Sequence, residues 1–325
     1  MPLAGPVAYW YHLAASQLCL GWQEDVMAET EPIVFLNGEL VPESQAGIPI
    51  RDRGFIYGDA VFDAARTFNG VPFKLAEHVK RLYDSLRYVR IDPGIGMDEM
   101  EDWSRKVVQH NYPLLPPGQD MWVMQRITRG VEGAESAPTV LIETHAIPFV
   151  ARAPLYRDGA RVTTPSVPRV PPRFMSPRAK THNYLNLVLG DLEAQGTDPG
   201  SWAVLLDEAG NLTEGRGSNI FLVKDGTVAT PKGQYVLEGI TRRTVLDLAN
   251  GLGLDTAECD LDLFDAYTAD EAFLTSTSLC ICPVSSVNGT SIGSGRPPGP
   301  ATRQLMQAFS DLAGMDFEEQ YLAHL

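Results

Sequence analysis

The chain has 325 residues, with 41 acidic side chains against 26 basic ones and a net charge of −15, and is long enough for two domains. Such an acidic balance excludes a general nucleic-acid surface, which needs clustered Lys and Arg. It does not exclude a small anionic ligand held by a local Arg cluster.

Residues 1–30 contain the apolar run VAYWYHLAASQLCLGW. It is too short to span a bilayer comfortably and lacks the basic leader and cleavage site of a secretion signal. The segment reads as an extension preceding the domain, with Met27 as an alternative start. Next, IVFLNGELV predicts two strands joined by an Asn-Gly turn, and GFIYGDAVFDAARTFNGVPFKL predicts a second hairpin turning at Asn69-Gly70. AEHVKRLYDSLRYV places Val79, Leu82, Leu86 and Val89 at helical spacing, and a further helix is expected near Met97–His110. DMWVMQRITRG and TVLIETHAI read as strands, and PFVARAP as a linker over 148–154. Beyond it, ARVTT is a strand, and Lys180 is expected to open an apolar helix through Leu185, Leu187, Val188, Leu189 and Leu192. SWAVLLDEAGNLTEGRGSNIFLVKDGTVATP reads as a β-meander, and TRRTVLDLANGLG as a helix capped by Thr241. EAFLTSTSLCICPVSSV predicts a strand, a polar turn and a strand, before a closing helix in ATRQLMQAFSDLAG. Strands and helices that do not alternate strictly indicate an α+β fold. The expected organisation is an extension over 1–30, a small α+β domain over 31–147, the linker, and a larger domain over 155–325.

Cys19, Cys259, Cys280 and Cys282 have no metal-site or disulfide spacing and read as buried thiols of a reducing, cytoplasmic compartment. Other residues carry chemistry. Lys180 stands alone where an irregular Pro- and Arg-rich segment meets the apolar helix, either as a solvated helix-start residue or as a nucleophilic amine. LEGITRRTVL puts Gly239-Ile240-Thr241 at a helix N-terminus, where free amides and the helix dipole attract anions; Thr is equally an ordinary cap. Glu214 in NLTEGRGSNIF is either a solvated turn carboxylate or a buried acceptor for a protonated ring nitrogen.

Lys180 in KTHNYLNLVL, Glu214 in LTEGRGSNIF, Gly239-Ile240-Thr241, FLTSTSLCICPV and the upstream EHVKRL occur in an order that resembles the class IV aminotransferases, pyridoxal-phosphate enzymes of fold type IV. The resemblance covers roughly residues 33–310. It implies a cofactor, pyridoxal 5′-phosphate, in the cleft between two α+β domains, and a homodimer in which residues of the neighbouring subunit close the pocket. It implies no metal, nucleic acid or membrane partner, only small amines or amino acids and keto acids. By the same resemblance Lys180 is the Schiff-base lysine and proton carrier, and Glu214 the partner of the cofactor's ring nitrogen. Arg81 is a forked phosphate ligand aided by the amides of Ile240 and Thr241 and by Thr277, and Tyr184 bonds the ring hydroxyl. Tyr57, Phe62, Ala64, Trp122, Met124, Ser278 and Leu279 are pocket positions.

Within that family the pattern is mixed. Branched-chain enzymes carry an aromatic and an Arg on the strand that here has Trp122 and Met124, and the Arg and His that trap a carboxylate in D-amino acid enzymes have no counterpart in VEGAESAPTV. The apolar wall favours (R)-amines or D-amino acids as donors, with branched-chain L-amino acids second. An aminodeoxychorismate lyase-like enzyme is a further alternative, and a non-enzymatic pyridoxal-binding scaffold a remote one. A substrate carboxylate would be met by amides at Thr277-Ser278-Leu279 or by one of Arg66, Arg126, Arg129 and Arg216.

Overall fold

A computed structural model describes residues 31–133 and 137–325; the extension expected over 1–30, with Met27 and Cys19, lies outside the described residues. The first half builds β1 (Ile33–Leu36), β2 (Glu39–Pro42), α1 (Arg53–Tyr57), β3 (Ala60–Phe68), β4 (Val71–Pro72), α2 (Leu75–Val89), α3 (Met97–Asn111), β5 (Met121–Thr128) and β6 (Thr139–Ala146). Its six strands form one antiparallel sheet in the order β2-β1-β6-β5-β3-β4. Both Asn-Gly hairpins form, with Asn37 and Asn69 at positive φ, a backbone region Asn enters at little cost. Side chains alternate across a strand. On β5, Met121, Val123 and Ile127 are buried in a core shared with Val79, Leu82 and Leu86 of α2 and Val107 of α3. The opposite face pairs Phe62 with Arg126, Ala64 with Met124 and Arg66 with Trp122 across β3 and β5.

α4 (Phe149–Asp158) follows, then β7 (Ala160–Thr163), α5 (Leu185–Thr197), β8 (Trp202–Ala203), β9 (Asn219–Lys224), β10 (Thr227–Pro231), α6 (Ile240–Gly251), β11 (Asp255–Cys259), α7 (Leu263–Thr268), β12 (Glu271–Ser276), β13 (Cys280–Val287), β14 (Thr290–Ser291), α8 (Pro300–Ala313) and α9 (Phe317–Leu322). The second sheet is mixed, in the order β11-β10-β9-β12-β13-β7-β8, with β14 on β13. Its core stacks Phe221 on Phe273 at 4.9 Å and takes in Ile281, Leu305 and Phe309. Cys280 and Cys282 are buried there as free thiols and Cys259 is half-buried. No helix among the described residues is long and apolar enough to cross a membrane. Two packed sheets with segregated helices make this an α+β protein of the fold type IV kind.

Four local expectations are corrected. Arg53–Tyr57, read as part of a hairpin, is a short helix, because the Asp52 carboxylate accepts the Gly54 amide as an N-cap. The linker expected over 148–154 is mostly helix: α4 buries Phe149 and Ala153, and Phe149 packs on Tyr321 at 4.8 Å. That burial outweighs the helix-breaking tendency of Pro154. The meander over 201–231 is regular only at β9 and β10, and the chain between β8 and β9 crosses from one end of the sheet to its middle. Lys180 does not open a helix: α5 begins at Leu185.

Candidate active site

Lys180 is fixed by its backbone before its side chain acts. Its amide donates to Ser85 Oγ on α2 at 3.1 Å, and its carbonyl accepts from the Phe62 amide on β3 at 3.0 Å. Thr181 makes an isolated antiparallel bridge to Val61. The segment between β7 and α5 is thereby hung on the first sheet. The side chain enters a cleft lined also by Arg81, Glu214, Ile240 and Thr241. There Nζ donates to Tyr184 Oη at 3.0 Å and lies 4.5 Å from the centre of the Phe62 ring.

Glu214 lines the same cleft and is buried. One oxygen accepts from Arg169 Nε at 3.0 Å and the other from the Leu237 amide at 2.9 Å. Burial raises the Glu214 pKa above the ordinary glutamate value, opposed by the Arg169 charge and by the Leu237 amide. An ionised carboxylate has about four lone-pair directions, so two remain for a ligand. Gly215 follows because a Cβ there would meet the Ala203 carbonyl at 2.5 Å. Sequence reasoning missed Arg169: it stands among prolines, 45 positions from Glu214, and nothing local marks it.

Arg81 also lines the cleft, but its fork is turned on Asp63, with Nε and Nη2 each donating at 2.8 Å. Nη1 donates to the Glu238 carbonyl at 3.1 Å. This corrects the expected fork on phosphate: among the described residues, one N–H on each of Nη1 and Nη2 is left without an acceptor. Burial by itself would raise the Asp63 pKa; Arg81 and His78 reverse that and hold it ionised well below the usual range. The α6 N-terminus faces the cleft through Ile240 and Thr241. Its N-cap is Gly239 rather than Thr241, and position 239 needs glycine, since a Cβ there would stand 2.3 Å from Asn219 Oδ1. Thr277 lines the cleft too. So do Ser218 and Thr275, whose buried hydroxyl oxygens have no partner among the described residues. Buried polar atoms left unpaired mark the place of a polar ligand.

Beyond Lys180 and Tyr184 the cleft continues past Phe62, Ala64, Trp122, Met124 and Ser278. Two expected pocket residues are elsewhere. Tyr57 is 61% exposed on α1, under the Arg53 guanidinium, because the short helix turns it away from its own cleft. Leu279 is fully buried, and Ser276 Oγ occupies its amide at 2.9 Å, so it offers a carboxylate nothing.

The four expected arginines separate by geometry. Arg66 is a buried strut donating to the Thr67 and Ser278 carbonyls and to Gln320. Arg129 grips Asp59 and the Val89 and Arg90 carbonyls. Arg126 pairs with Glu143 at 2.5 Å. Only Arg216 lines the cleft, and it is paired with Asp191 at 2.5 Å. A fifth, Arg152 of α4, reaches the cleft beside Trp122 and Ser278. It was hidden in the presumed linker.

The Arg126–Glu143 pair has a pH consequence. Burial would raise the Glu143 pKa, but hydrogen bonds from His145 and Arg126 and their charges lower it to about 2. A depressed carboxylate pKa contributes stability above its unfolded value, 4.5, and the contribution is lost as pH falls through the folded value. Glu143→Gln should therefore flatten the acid limb of the stability curve between pH 4.5 and 2 by on the order of 3 kcal/mol at most. Urea unfolding at pH 6 and pH 3 checks this; equal slopes in both proteins would refute it.

The family model for class IV amino-transferases matches residues 60–287. A protein of Methanocaldococcus jannaschii named "Putative branched-chain-amino-acid aminotransferase" is 38% identical over 86% of this chain and 96% of its own length. The D-alanine aminotransferase of Bacillus licheniformis is 31% identical over 86% of this chain and 96% of its own. Among solved structures, the branched-chain amino acid aminotransferase from Escherichia coli superposes with a TM-score of 0.78 at 31% identity, covering 87% of this chain and 94% of that one. A solved branched-chain amino acid aminotransferase with pyridoxamine 5′-phosphate superposes with a TM-score of 0.78 at 29% identity, covering 87% of this chain and 95% of that one.

Proposed function

The chain belongs to the class IV aminotransferases, and on that premise we propose that it exchanges amino groups between amino acids with hydrophobic side chains, branched-chain L-amino acids foremost, and 2-keto acids. The cofactor is pyridoxal 5′-phosphate, which supplies an aldehyde for the amino group and a ring that absorbs the electrons left when the donor Cα loses its proton. The observation carrying the proposal is the convergence on one cleft of an amine, a buried carboxylate, a guanidinium with spare N–H groups, a helix N-terminus and two unpartnered hydroxyls. That donor set fits a phosphorylated pyridine.

In this reading Lys180 Nζ is the covalent anchor and then carries the proton at the donor Cα, oriented by Tyr184. Tyr184 then serves the ring hydroxyl. Glu214, held by Arg169, keeps the ring nitrogen protonated. The spare N–H groups of Arg81, the amides of Ile240 and Thr241 and the Thr277 hydroxyl hold the phosphate. Phe62, Ala64, Trp122 and Met124 exclude water and receive the donor side chain. The proposal keeps a division into two domains, the first over 31–147 and the second now including α4, which packs on Tyr321, and a cytoplasmic location. It also includes a homodimer: Ile50, Phe55 and Tyr57 are 81%, 77% and 61% exposed, an apolar face suited to covering a neighbouring subunit's cleft.

The (R)-amine or D-amino acid preference is kept as the second reading, favoured by Met124 standing where a cation would reject an aryl group and by similarity to the D-alanine aminotransferase of Bacillus licheniformis. A half-reaction panel decides. L-leucine should convert the cofactor to its amine form faster than D-alanine or (R)-1-phenylethylamine; the reverse order would overturn the L-preference. Sustained turnover should require a keto-acid acceptor, which a lyase would not need. Met124→Arg should lower the rate with (R)-1-phenylethylamine by on the order of tenfold, the scale of a disturbed apolar pocket, and improve use of L-glutamate. An unchanged donor profile would remove Met124 from the pocket wall.

A further inference from the structure

The geometry assigns the substrate α-carboxylate to Arg152. This assignment rests on the aminotransferase reading above and deepens it. Arg152 lies in the first turns of α4, outside every motif quoted for the family. Its guanidinium carbon is 5.1 Å from the Trp122 ring centre and 5.9 Å from that of Trp202, and Nη1 donates to Ser278 Oγ. Lys180, Met124, Trp122 and Ser278 line the same chamber.

Charge bookkeeping singles this residue out. Arg81 is neutralised by Asp63, Arg126 by Glu143 and Arg216 by Asp191. Among the described residues no acidic side chain makes an ion pair with Arg152. A cation on a chamber wall without an anionic partner is expensive unless something offsets its lost hydration. Two indoles near the guanidinium do this partly. The guanidinium also hydrogen-bonds the hydroxyls of Ser278 and Tyr321; of its five N–H groups the others have no acceptor among the described residues, and a carboxylate is the anion this fork matches. An amino acid bound with its carboxylate at Arg152 and Ser278 would set its side chain toward Phe62 and Met124, the apolar part of the wall. Donors without a carboxylate would leave Arg152 unpaired, so simple amines should be poor substrates.

The test compares wild type, Arg152→Gln and Arg152→Lys as full-length enzyme loaded with pyridoxal 5′-phosphate. The readouts are KM and kcat for L-leucine, inhibition by 4-methylvaleric acid, which keeps the carboxylate and lacks the amino group, and cofactor affinity. Arg152→Gln should raise KM and the inhibition constant together by about 10- to 100-fold, the scale of a charge-assisted hydrogen bond, while cofactor affinity stays the same. Arg152→Lys should recover part of the loss. An inhibition constant within about twofold of wild type in Arg152→Gln would overturn the assignment while leaving the aminotransferase reading standing. A wild-type enzyme that leaves its cofactor in the aldehyde form with L-leucine and every other amino acid offered would overturn both.

Discussion

Lys180→Ala should lower the half-reaction rate with L-leucine by on the order of 10⁴-fold or more, while pyridoxal 5′-phosphate remains bound. On the proposed reading the substitution removes the amine that anchors the cofactor and the base that moves the Cα proton, and positioned acid–base catalysis alone accounts for roughly 10² to 10⁴ in rate. The proposed phosphate contacts would be untouched, because Arg81, Ile240 and Thr241 lie on other elements. Little of the fold is lost either, since Lys180 is anchored to Ser85 and Phe62 through its backbone. Two measurements decide it: stopped-flow spectra of the half-reaction, and the mass of the protein after borohydride treatment. The wild-type chain should gain the mass of the reduced cofactor and the variant should not. A variant that keeps the adduct or turns over normally would remove Lys180 from the chemistry.

Glu214→Gln should lower the half-reaction rate by about 10²- to 10³-fold, the range found when a preorganised electrostatic partner of a developing charge is removed. Cofactor affinity should change less, because the loss falls mainly on the transition state. A second effect must be separated from the first. Glu214 and Arg169 form a buried ion pair at 3.0 Å, and breaking such a pair leaves the surviving charge uncompensated at a cost of about 3–5 kcal/mol. The variant should therefore unfold at lower denaturant in the absence of cofactor as well. Arg169→Met with Glu214→Gln would remove the orphaned charge and recover stability without recovering rate. If the single variant lost stability but kept its half-reaction rate, Glu214 would be structural only.

Several elements were legible because their signals are local. MWVMQRIT read as a strand with Trp122 and Met124 on one face, and β5 forms there, burying Met121, Val123 and Ile127 of the other face. The Asn-Gly turns and the apolar spacing of α2 were equally direct. Where a competing local interaction or a distant partner decided the outcome, the reading failed. An Asp52 cap made a helix of Arg53–Tyr57, and the core took PFVARAP as α4, although two prolines mark that stretch as a linker.

Motif order and residue type were enough for the α+β class, the family and its cofactor, and they brought forward Lys180, Glu214, Arg81, Ile240 and Thr241 as candidates, which line one cleft, because such signals survive without coordinates. Tertiary structure alone decided which charges are already neutralised. Arg81 meets Asp63 across 18 positions, Glu214 meets Arg169 across 45, and Arg152 meets Ser278 across 126. No local pattern encodes such pairings, since they arise where β3, α2, α4 and the turn between β12 and β13 converge on one cleft. The energy of a buried charge depends on its partner and on its exclusion from water, and both are set only when the two sheets pack.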